Sequence, residues 1–505
     1  MTTQTLLAAD TVDGLLAAAV AARPDAPAVT DGSGTWRYAD LDAWSQAYAD
    51  WLTARGVRRG DRVLARVGNV REFTALLFGA LRRGIVFVPV NPAMKRFHLN
   101  TVVPDCDPAL LIGQTDQDVA VLSEVTDRPV FGLDEVASGA ERLLGAAPGA
   151  ADADPVRPDD LGLLIYTSGS TAAPKAVVST HAPIVFAARA IQARLRYRED
   201  DVVLAAVPLS FDYGLYQVFL SVIAGARLVL SEPDRHVGLL GTLHEHGVTV
   251  VPLVPSLGEM LLALARRDRR EPPPVRLFTN TGAALTAPVI AQLRAAFPRA
   301  QVSPMYGTTE CKRVTVLEPD GDLAKPGSVG RALDGTQVLI LDDDGQPLPP
   351  HTVGEIAARG PHVMSGYWRA PEQTAPRFRP HPVTGEVTLH TGDYGYLDAD
   401  GHLYFAGRRD DLFKRKGVRM GTLEIETAAL DIPGVTATAV LAPADGHDLT
   451  LYAVAELTEN ALLDELAERL EAAKVPAVCH LVDELPLTPN GKTDKRRLRD
   501  ARGAS

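Results

Sequence analysis

One short stretch of the sequence combines the residue types that bind phosphate. Residues 166–176 read YTSGSTAAPKA, with hydroxyls at Thr167, Ser168, Ser170 and Thr171, a glycine at Gly169 and a lysine at Lys175. The stretch follows an apolar run, LGLLI, that predicts a buried strand. A hydroxyl-rich loop after a strand offers O–H and N–H donors to phosphate oxygens, and a lysine adds positive charge. A polar surface loop remains the alternative, because the pattern G-x-x-x-x-G-K-[ST] is absent.

Three further stretches carry residues suited to binding a nucleotide. They are MYGTTE (305–310), which ends in Glu310; TGDYGYLDADGHLYFAGRRDD (391–411), which contains Asp393 and Arg408; and PLTPNGKTDKRRL (486–498), which contains Lys492. The carboxylate of Glu310 is a ligand type that Mg²⁺ prefers, and Asp393 is an acceptor for ribose hydroxyls. Four such stretches in this order are hard to attribute to chance.

The segments around these stretches alternate between two patterns. DRVLARVG (61–68) and IVFVPVN (85–91) are short and β-branched, which predicts strands, and REFTALLFGALRRG (71–84) between them has apolar residues at helical spacing. The same alternation recurs between residues 202 and 267. Repeated βα units of this kind predict a mostly parallel sheet with helices on both faces.

The composition restricts the class of protein. The 505 residues are 46% apolar, and the net charge of -12 comes without a region dominated by one sign, which argues against a nucleic-acid binder. The three cysteines are far apart and lack metal-ligand spacing, which favours a reduced, cytoplasmic protein. The beginning of the sequence lacks a basic leader, and Pro208, Asp212, Gly214 and Gly225 interrupt the longest apolar region, so neither a targeting segment nor a membrane span is predicted.

The pattern of residues along the sequence changes after about residue 320 and again near Asp410. The first change leads into segments that read as strands and turns. The charged stretch RRDDLFKRKG (408–417) predicts a loop, and the residues beyond it form a compact α+β pattern. We therefore predict an N-terminal domain of residues 1–409 and a C-terminal domain of residues 410–505.

Together, the four stretches resemble those of the adenylate-forming superfamily, which includes acyl- and aryl-CoA ligases, adenylation domains of nonribosomal peptide synthetases, and luciferases. The resemblance covers nearly the whole chain. It implies an α/β with α+β fold, with a large N-terminal domain of stacked α/β sheets plus a distorted β-barrel, and a small mobile C-terminal α+β domain. It also implies two reactions. A carboxylate attacks the α-phosphate of ATP to give acyl-AMP and pyrophosphate, and a thiol of CoA or of a carrier-protein pantetheine then takes the acyl group.

The resemblance also implies roles for single residues. The phosphate loop would be Thr167, Ser168, Gly169, Ser170, Thr171 and Lys175; Thr309 and Glu310 would serve the α-phosphate and Mg²⁺; Tyr306 would stack near the adenine, with Gly307 also in the nucleotide site; and Asp393 and Arg408 would hold the ribose. Lys492 would bridge the carboxylate and phosphate oxygens during adenylation, and Asp410 would be the hinge of the C-terminal domain. The loop departs from the family pattern S-T-G-x-P-K-G because Ala172 and Ala176 replace glycines, and alanine does not easily adopt a positive φ.

The substrate pocket that the resemblance implies is polar and edged by aromatic rings. Its residues are Phe211, Asp212, Tyr213, Tyr216, Thr279, Thr281, Gly282, Met305, Lys312, Arg313 and Val314. Asp212 matches a position that pairs with the substrate ammonium in amino-acid-activating relatives, and its alternative role is to cap the next helix. Arg313 would bind a second carboxylate or another oxygen-rich group, and its alternative is a salt bridge or a nucleotide contact.

The pairing of Asp212 with Cys-Lys-Arg at 311–313 is most similar to stand-alone enzymes that load β-amino acids onto carrier proteins in natural-product pathways. We therefore expect an enzyme that uses ATP and Mg²⁺ to activate an amino acid or a polar aryl acid. Since neither a carrier nor a condensation domain is recognised in the sequence, the acceptor is expected to be a separate carrier protein. Three alternatives stay open: an aryl- or acyl-CoA ligase, AMP-forming activation of another oxyacid in nitrogen chemistry, and a non-catalytic ATP-binding relative.

Overall fold

The structure is a computed structural model that describes residues 11–145, 155–167, 174–232, 238–381, 384–408, 412–415, 418–444, 447–470, 472, 474–488 and 493–502. Six predicted site residues lie outside the described residues: Ser168, Gly169, Ser170, Thr171, Asp410 and Lys492. Ala172 lies outside them too.

Helices and strands alternate along most of the chain. The helices are α1 (Val12–Ala22), α2 (Tyr38–Ala54), α3 (Arg71–Arg82), α4 (Arg96–Cys106), α5 (Asp116–Ser123), α6 (Leu133–Glu141), α7 (His181–Leu195), α8 (Asp212–Ala224), α9 (Leu239–His246), α10 (Pro255–Ala265), α11 (Ala287–Ala296), α12 (Pro371–Thr374), α13 (Thr422–Leu430), α14 (Glu459–Arg469) and α15 (Lys495–Arg502). The first fifteen strands are β1 (Pro27–Asp31), β2 (Gly34–Arg37), β3 (Arg62–Arg66), β4 (Val86–Pro89), β5 (Leu110–Gly113), β6 (Val130–Gly132), β7 (Leu161–Thr167), β8 (Lys175–Thr180), β9 (Val202–Ala205), β10 (Arg227–Leu230), β11 (Val250–Leu253), β12 (Leu277–Asn280), β13 (Gln301–Tyr306), β14 (Thr315–Val316) and β15 (Arg331–Ala332). The others are β16 (Gln337–Leu341), β17 (Gly354–Arg359), β18 (Phe378–Pro380), β19 (Val387–Leu397), β20 (Leu403–Arg408), β21 (Leu412–Arg415), β22 (Val418–Gly421), β23 (Val435–Leu441), β24 (Thr450–Ala455) and β25 (Val478–Leu481).

Two large sheets carry the first two thirds of the chain. One has nine strands in the order β15-β14-β13-β12-β11-β9-β10-β1-β2, and the other has six in the order β6-β5-β3-β4-β7-β8. The inner strands are parallel, whereas β2, β14 and β15 in the first sheet and β8 in the second are antiparallel to their neighbours. Parallel strands need crossover connections, which is why helices separate them in sequence.

Helix α3 shows how the helices cover these sheets. Its apolar residues from Phe73 to Leu81 are buried, as the helical spacing in the sequence predicts. Each large side chain buried in this way contributes about 1.5–3 kcal/mol. At Gly79 the helix comes so close to α2 that an added Cβ would lie 2.6 Å from the carbonyl oxygen of Ser45. A glycine therefore permits this helix pair to pack closely.

The later strands form smaller, mostly antiparallel sheets. Strands β16 to β20 make a five-stranded antiparallel sheet, and β23, β24 and β25 make a three-stranded sheet near the C-terminus. The distorted β-barrel stays a prediction. Helices α13 and α14 share a hydrophobic core with that last sheet, which gives the predicted α+β pattern. The boundary between two domains near residue 410 stays a prediction.

Most of the predicted elements are confirmed, including the strand–helix–strand unit at 61–91 and the alternation between residues 202 and 267. The loop predicted for residues 408–417 is wrong, because β21 lies within it and pairs with β22 as an antiparallel hairpin. Charge density suggested a loop, but backbone pairing with the following residues decides the local structure. In the described parts of the chain, none of the helices has the length and apolar character that crossing a membrane requires.

Candidate functional site

Strands β7 and β8 form the hairpin that holds the predicted phosphate loop. Thr167 ends β7 and Lys175 begins β8, and the two residues are direct partners across the pair. Ala176 is buried in β8 opposite Tyr166, where a strand conformation suits alanine. The absence of a glycine at position 176 therefore causes no strain. Burial lowers the pKa of Lys175, nearby Arg377 lowers it further, and Glu310 acts in the opposite direction.

The turn between β13 and β14 places Glu310. Gly307 is required at the start of this turn, because an added Cβ would overlap the carbonyl oxygen of Lys312. The carboxylate of Glu310 accepts a hydrogen bond of 2.6 Å from the hydroxyl of Tyr367, and its backbone oxygen accepts one of 2.8 Å from Met364. Thr309 lies in the same turn and is half-buried, as is Glu310.

Asp393, on β19, is the centre of a third group. Its carboxylate accepts a hydrogen bond of 2.7 Å from the hydroxyl of Tyr306, and the guanidinium of Arg408 lies 3.6 Å from it across the β19–β20 ladder. Burial raises the pKa of Asp393, and Arg408 opposes that shift. The ring of Tyr306 lies 5.6 Å from the ring of Phe405. The Asp393 group therefore joins β13 of the nine-stranded sheet to the antiparallel sheet.

The three groups converge. Tyr367 contacts both Glu310 and Lys175, since its hydroxyl donates to Glu310 at 2.6 Å and its ring lies 5.6 Å from the Lys175 ammonium. Burial is the largest cause of the pKa shifts of Lys175 and Asp393, and the charge of Glu310 contributes an upward shift to each. The guanidinium of Arg377 also acts on both, and it donates to the backbone oxygens of His390 and Thr391. Three of the predicted nucleotide-site residues, Lys175, Glu310 and Asp393, thus lie near one another, although they belong to β8, to the turn after β13 and to β19.

The predicted acid pocket begins where α8 begins. Asp212 is the first residue of α8, and the N-cap position belongs to Phe211, whose side chain makes no capping hydrogen bond. The alternative that Asp212 caps the helix is therefore wrong. Its carboxylate instead lies 3.1 Å from the guanidinium of Arg313, in a salt bridge that was one of the alternatives for Arg313. Both side chains are largely buried.

Two cations follow Glu310 in the same turn. Lys312 is fully buried, has a φ of 65°, and donates to the carbonyl oxygen of Thr309 at 2.9 Å. Burial lowers the pKa of Lys312 to about 8, and Asp212 opposes the shift more than Glu310 does. The ammonium lies 5.8 Å from the centre of the Tyr216 ring, and the guanidinium of Arg313 lies 4.8 Å from that of Tyr213. Aromatic faces therefore support both cations.

The polar atoms of the pocket fall into two sets. The hydroxyl of Tyr213 bonds to the backbone and side chain of Thr279. In and beside the pocket, four buried polar atoms have no hydrogen-bond partner among the described residues: the hydroxyls of Ser210, Tyr216 and Thr281 and the Nε of Arg313. Met305 and Val314 are buried apolar residues, and Gly282 is exposed with a φ of 87°. Other unpartnered polar atoms occur elsewhere in the described core, but these four lie beside Asp212 and Arg313 and can bond to a ligand there.

Sequence reasoning missed three residues of this region: Ser210, Tyr367 and Arg377. Ser210 lies two residues before Asp212 and could have been included by proximity alone. Tyr367 and Arg377 follow Glu310 by 57 and 67 residues (310 to 367 and 310 to 377), and no pattern in the sequence connects them with it.

Comparison with known families identifies the class. A model of the AMP-binding enzyme family matches residues 16–368, and a model of the AMP-binding enzyme C-terminal domain matches residues 424–492. The chain belongs to the AMP-binding enzyme family. Its relatives are ligases and adenylation enzymes, so the predictions of an α/β fold of this class and of an AMP-forming enzyme that adenylates an acid with ATP are confirmed.

The curated relatives include both free enzymes and parts of large synthetases. The chain is 30% identical to the L-proline--[L-prolyl-carrier protein] ligase of Streptomyces coelicolor, with 92% of each chain covered. It is 31% identical to the feruloyl-CoA synthase of an Amycolatopsis species, with 94% of this chain and 96% of the relative covered. It also matches five large synthetases, among them a probable non-canonical nonribosomal peptide synthetase of Salinispora arenicola at 32% identity over 97% of this chain, and spans only 6–18% of their lengths.

Solved structures give the same class. The crystal structure of VinN is 49% identical, has a TM-score of 0.74, and covers 79% of this chain and 98% of its own. VinN is also known in complex with L-aspartate and with 3-methylaspartate. ATP-bound MatB from Rhodopseudomonas palustris is 28% identical, with a TM-score of 0.85 and coverage of 97% and 99%.

Proposed function

We propose that this chain activates a small amino dicarboxylic acid of the aspartate type as an acyl-adenylate and transfers the acyl group to a pantetheine thiol on a carrier protein. The observation that carries this proposal is the buried group of Asp212, Lys312 and Arg313 beside Glu310. The complexes of VinN with L-aspartate and 3-methylaspartate support the same class of acid.

The charge of the group argues for a second carboxylate on the substrate. Asp212 supplies one negative charge, and Lys312 and Arg313 supply two positive charges, which leaves one positive charge in excess when Glu310 is assigned to Mg²⁺. Uncompensated buried charge is costly. An amino dicarboxylate carries one ammonium and two carboxylates, so its net charge of one negative balances that excess. A monocarboxylic amino acid or a fatty acid leaves the pocket unbalanced or its polar atoms without partners.

The arrangement also gives each end of the acid a partner. Asp212 is the available anion for the ammonium, and the Nε of Arg313 has no protein partner among the described residues. Arg313 already donates one Nη1 hydrogen bond to Asp212 and one to the carbonyl oxygen of Lys312. Its remaining donors suit a carboxylate, which accepts from a guanidinium at two positions.

On this proposal, Lys175 and Glu310 serve the phosphates of ATP, and Asp393 serves the ribose. A carboxylate is a weak nucleophile, so orientation and charge neutralisation supply most of the acceleration. Glu310 fits Mg²⁺ because its carboxylate is half-buried, and the hydrogen bond from Tyr367 occupies only Oε1. Bound there, Mg²⁺ would neutralise charge on the phosphate oxygens.

The second half-reaction belongs to the C-terminal region in this proposal. Residues 410–505 would form a small domain that turns about Asp410, with Lys492 assisting adenylation. Lys492→Ala is expected to leave ATP binding near normal and to stop acyl-AMP formation. Unchanged single-turnover formation of the adenylate by this variant would contradict the assigned role.

A CoA ligase is the second candidate. This chain matches the feruloyl-CoA synthase over 96% of that relative's length. A relative that makes a CoA thioester therefore shares the complete fold. The acceptor distinguishes the two candidates. With acyl-adenylate preformed, thioester formation is measured with CoA and with a phosphopantetheinylated carrier protein.

A pyrophosphate-release screen tests the acid. The panel contains L-aspartate, 3-methylaspartate, L-proline, ferulic acid, malonate and palmitate, each with ATP and Mg²⁺. We expect the two amino dicarboxylates to give the highest kcat/KM. Turnover of ferulic acid or palmitate above that of every amino acid would reject the proposed substrate class and favour the CoA ligase.

A further inference from the structure

Tyr367 lies on a segment that joins the phosphate hairpin to the turn of Glu310. The backbone of residues 364–368 exchanges hydrogen bonds with Ala176 and Val178 of β8, at 2.9–3.0 Å. At its other end, Met364 donates to the carbonyl oxygen of Glu310 at 2.8 Å. A short extended segment therefore links two loops that the proposed function assigns to the same nucleotide.

The side chain of Tyr367 also connects these two loops. Its hydroxyl donates to Oε1 of Glu310 at 2.6 Å, and the ammonium of Lys175 lies 5.6 Å from the centre of its ring. The latter distance is within the range of a cation–π interaction. The ring is itself fixed by an edge contact with Phe378 at 5.5 Å, and the Tyr367 N–H donates to Thr374 at 3.0 Å.

The hydrogen bond from Tyr367 engages only one oxygen of the Glu310 carboxylate. A carboxylate held by one oxygen is fixed in orientation while its other oxygen stays free for a cation.

We propose that Tyr367 is a positioning residue that orients Glu310 for Mg²⁺ and Lys175 for the phosphates of ATP. The inference rests on the proposed function, because it takes the roles of Glu310 and Lys175 from it. Groups that orient a metal ligand typically change metal affinity by about 10–100-fold when they are removed.

The experiment measures ATP binding by calorimetry as a function of Mg²⁺ concentration, and pyrophosphate release in parallel. Tyr367→Phe removes the hydroxyl and keeps the ring. We expect it to raise the Mg²⁺ concentration for half-maximal ATP binding by about 10-fold, with a smaller change in kcat at saturating Mg²⁺. Tyr367→Leu removes the ring as well and is expected to weaken ATP binding by about a further 3-fold, since the contact with Lys175 is lost.

Tyr38→Phe is the matched control. Tyr38 is fully buried, and its hydroxyl donates to the carbonyl oxygens of Ser221 and Ala226, outside the site. This variant is expected to be less stable in urea and to keep the Mg²⁺ dependence of the wild type. A similar shift in Tyr38→Phe and Tyr367→Phe would mean that loss of any buried hydroxyl produces the effect, which would overturn the inference.

Glu310→Gln separates the inference from the proposed function. If Tyr367 acts through Glu310, then Tyr367→Phe has little further effect on Mg²⁺ dependence in the Glu310→Gln background, so the two changes are not additive. Additive effects, or an unaltered Mg²⁺ dependence in Tyr367→Phe alone, overturn the positioning role. An unaltered Mg²⁺ dependence in Glu310→Gln overturns the role of Glu310 itself, and with it the proposed function at this residue.

Discussion

Two aspartate–arginine pairs lie beside the nine-stranded sheet, and they differ in how many of their polar atoms have hydrogen-bond partners. In the first pair, which we call the structural pair, Asp201 accepts from Arg276, from the hydroxyl of Thr249 and from the N–H of Arg198. In the second, which we call the pocket pair, Asp212 accepts from Arg313, whose Nε has no partner among the described residues.

The surroundings of the two pairs differ in the same way. Around the pocket pair, the hydroxyls of Ser210, Tyr216 and Thr281 lack partners within the described chain, and a second cation, Lys312, is buried nearby. Around the structural pair, the polar groups bond to one another. A fully bonded pair holds the fold together, whereas a pair with spare donors and excess charge is suited to a ligand.

The largest expected effect is a loss of protein stability when the structural pair is broken. Arg276→Met leaves Asp201 buried without its counter-ion, and breaking a buried pair in this way costs about 3–5 kcal/mol. Urea unfolding should show that loss, while the kcat/KM of the folded protein for L-aspartate stays near the wild-type value. A large fall in kcat/KM would show that the structural pair is not separate from the site.

The next largest effect is a loss of enzyme activity when the pocket pair is broken. Arg313→Met is expected to lower kcat/KM for L-aspartate about 100-fold, since loss of one partner of a buried charged contact costs ~3 kcal/mol. ATP binding should remain near normal. Pyrophosphate release and calorimetry measure the two quantities, and Arg313→Lys, which keeps the charge, should recover part of the activity. Full activity of Arg313→Met would end the proposed role.

A smaller effect is expected on recognition of the ammonium group of the substrate. Asp212→Asn is expected to reduce the preference for L-aspartate over its des-amino analogue by about 10-fold, the loss of one charge-assisted hydrogen bond. The ratio of the two kcat/KM values measures this preference. Asp201→Asn is the matched control, which should lower stability and leave the ratio unchanged.

The smallest effect is a pH dependence. Because the pKa of Lys312 is lowered to about 8, its ammonium is charged below that pH and loses its proton above it. The kcat/KM for L-aspartate is therefore expected to fall as pH rises through about 8, since the second carboxylate loses a cation. Lys312→Met should lack this fall, measured between about pH 6.5 and 9. A wild-type profile that rises through this range would contradict the expectation.

The sequence predicted the elements of the site better than its contacts. The apolar spacing in α3 and the β-branched run of β4 are local, so their structure follows from neighbouring residues. The start of α8 at Asp212 was likewise close to the predicted position. The hairpin of β21 and β22 was missed because charged residues conceal a strand pattern.

The contacts between residues far apart in the chain could not be predicted from the sequence. Asp212 meets Arg313 across 101 residues, and Glu310 meets Tyr367 across 57. Such pairs depend on the order of strands in the sheets and on which face each side chain occupies, and one sequence carries no pattern for either. The resemblance supplied the positions, but not the salt bridge between Asp212 and Arg313 or the hydroxyl on Glu310.

The proposal that the pocket selects an amino dicarboxylic acid can be tested by ATP–pyrophosphate exchange. The wild-type protein is assayed with L-aspartate, succinate and L-asparagine at equal concentrations. Succinate lacks the ammonium and L-asparagine lacks the second carboxylate, so each removes one partner of the pocket. We expect a kcat/KM for L-aspartate at least about 10-fold above that of either analogue. Equal exchange with all three acids would contradict it.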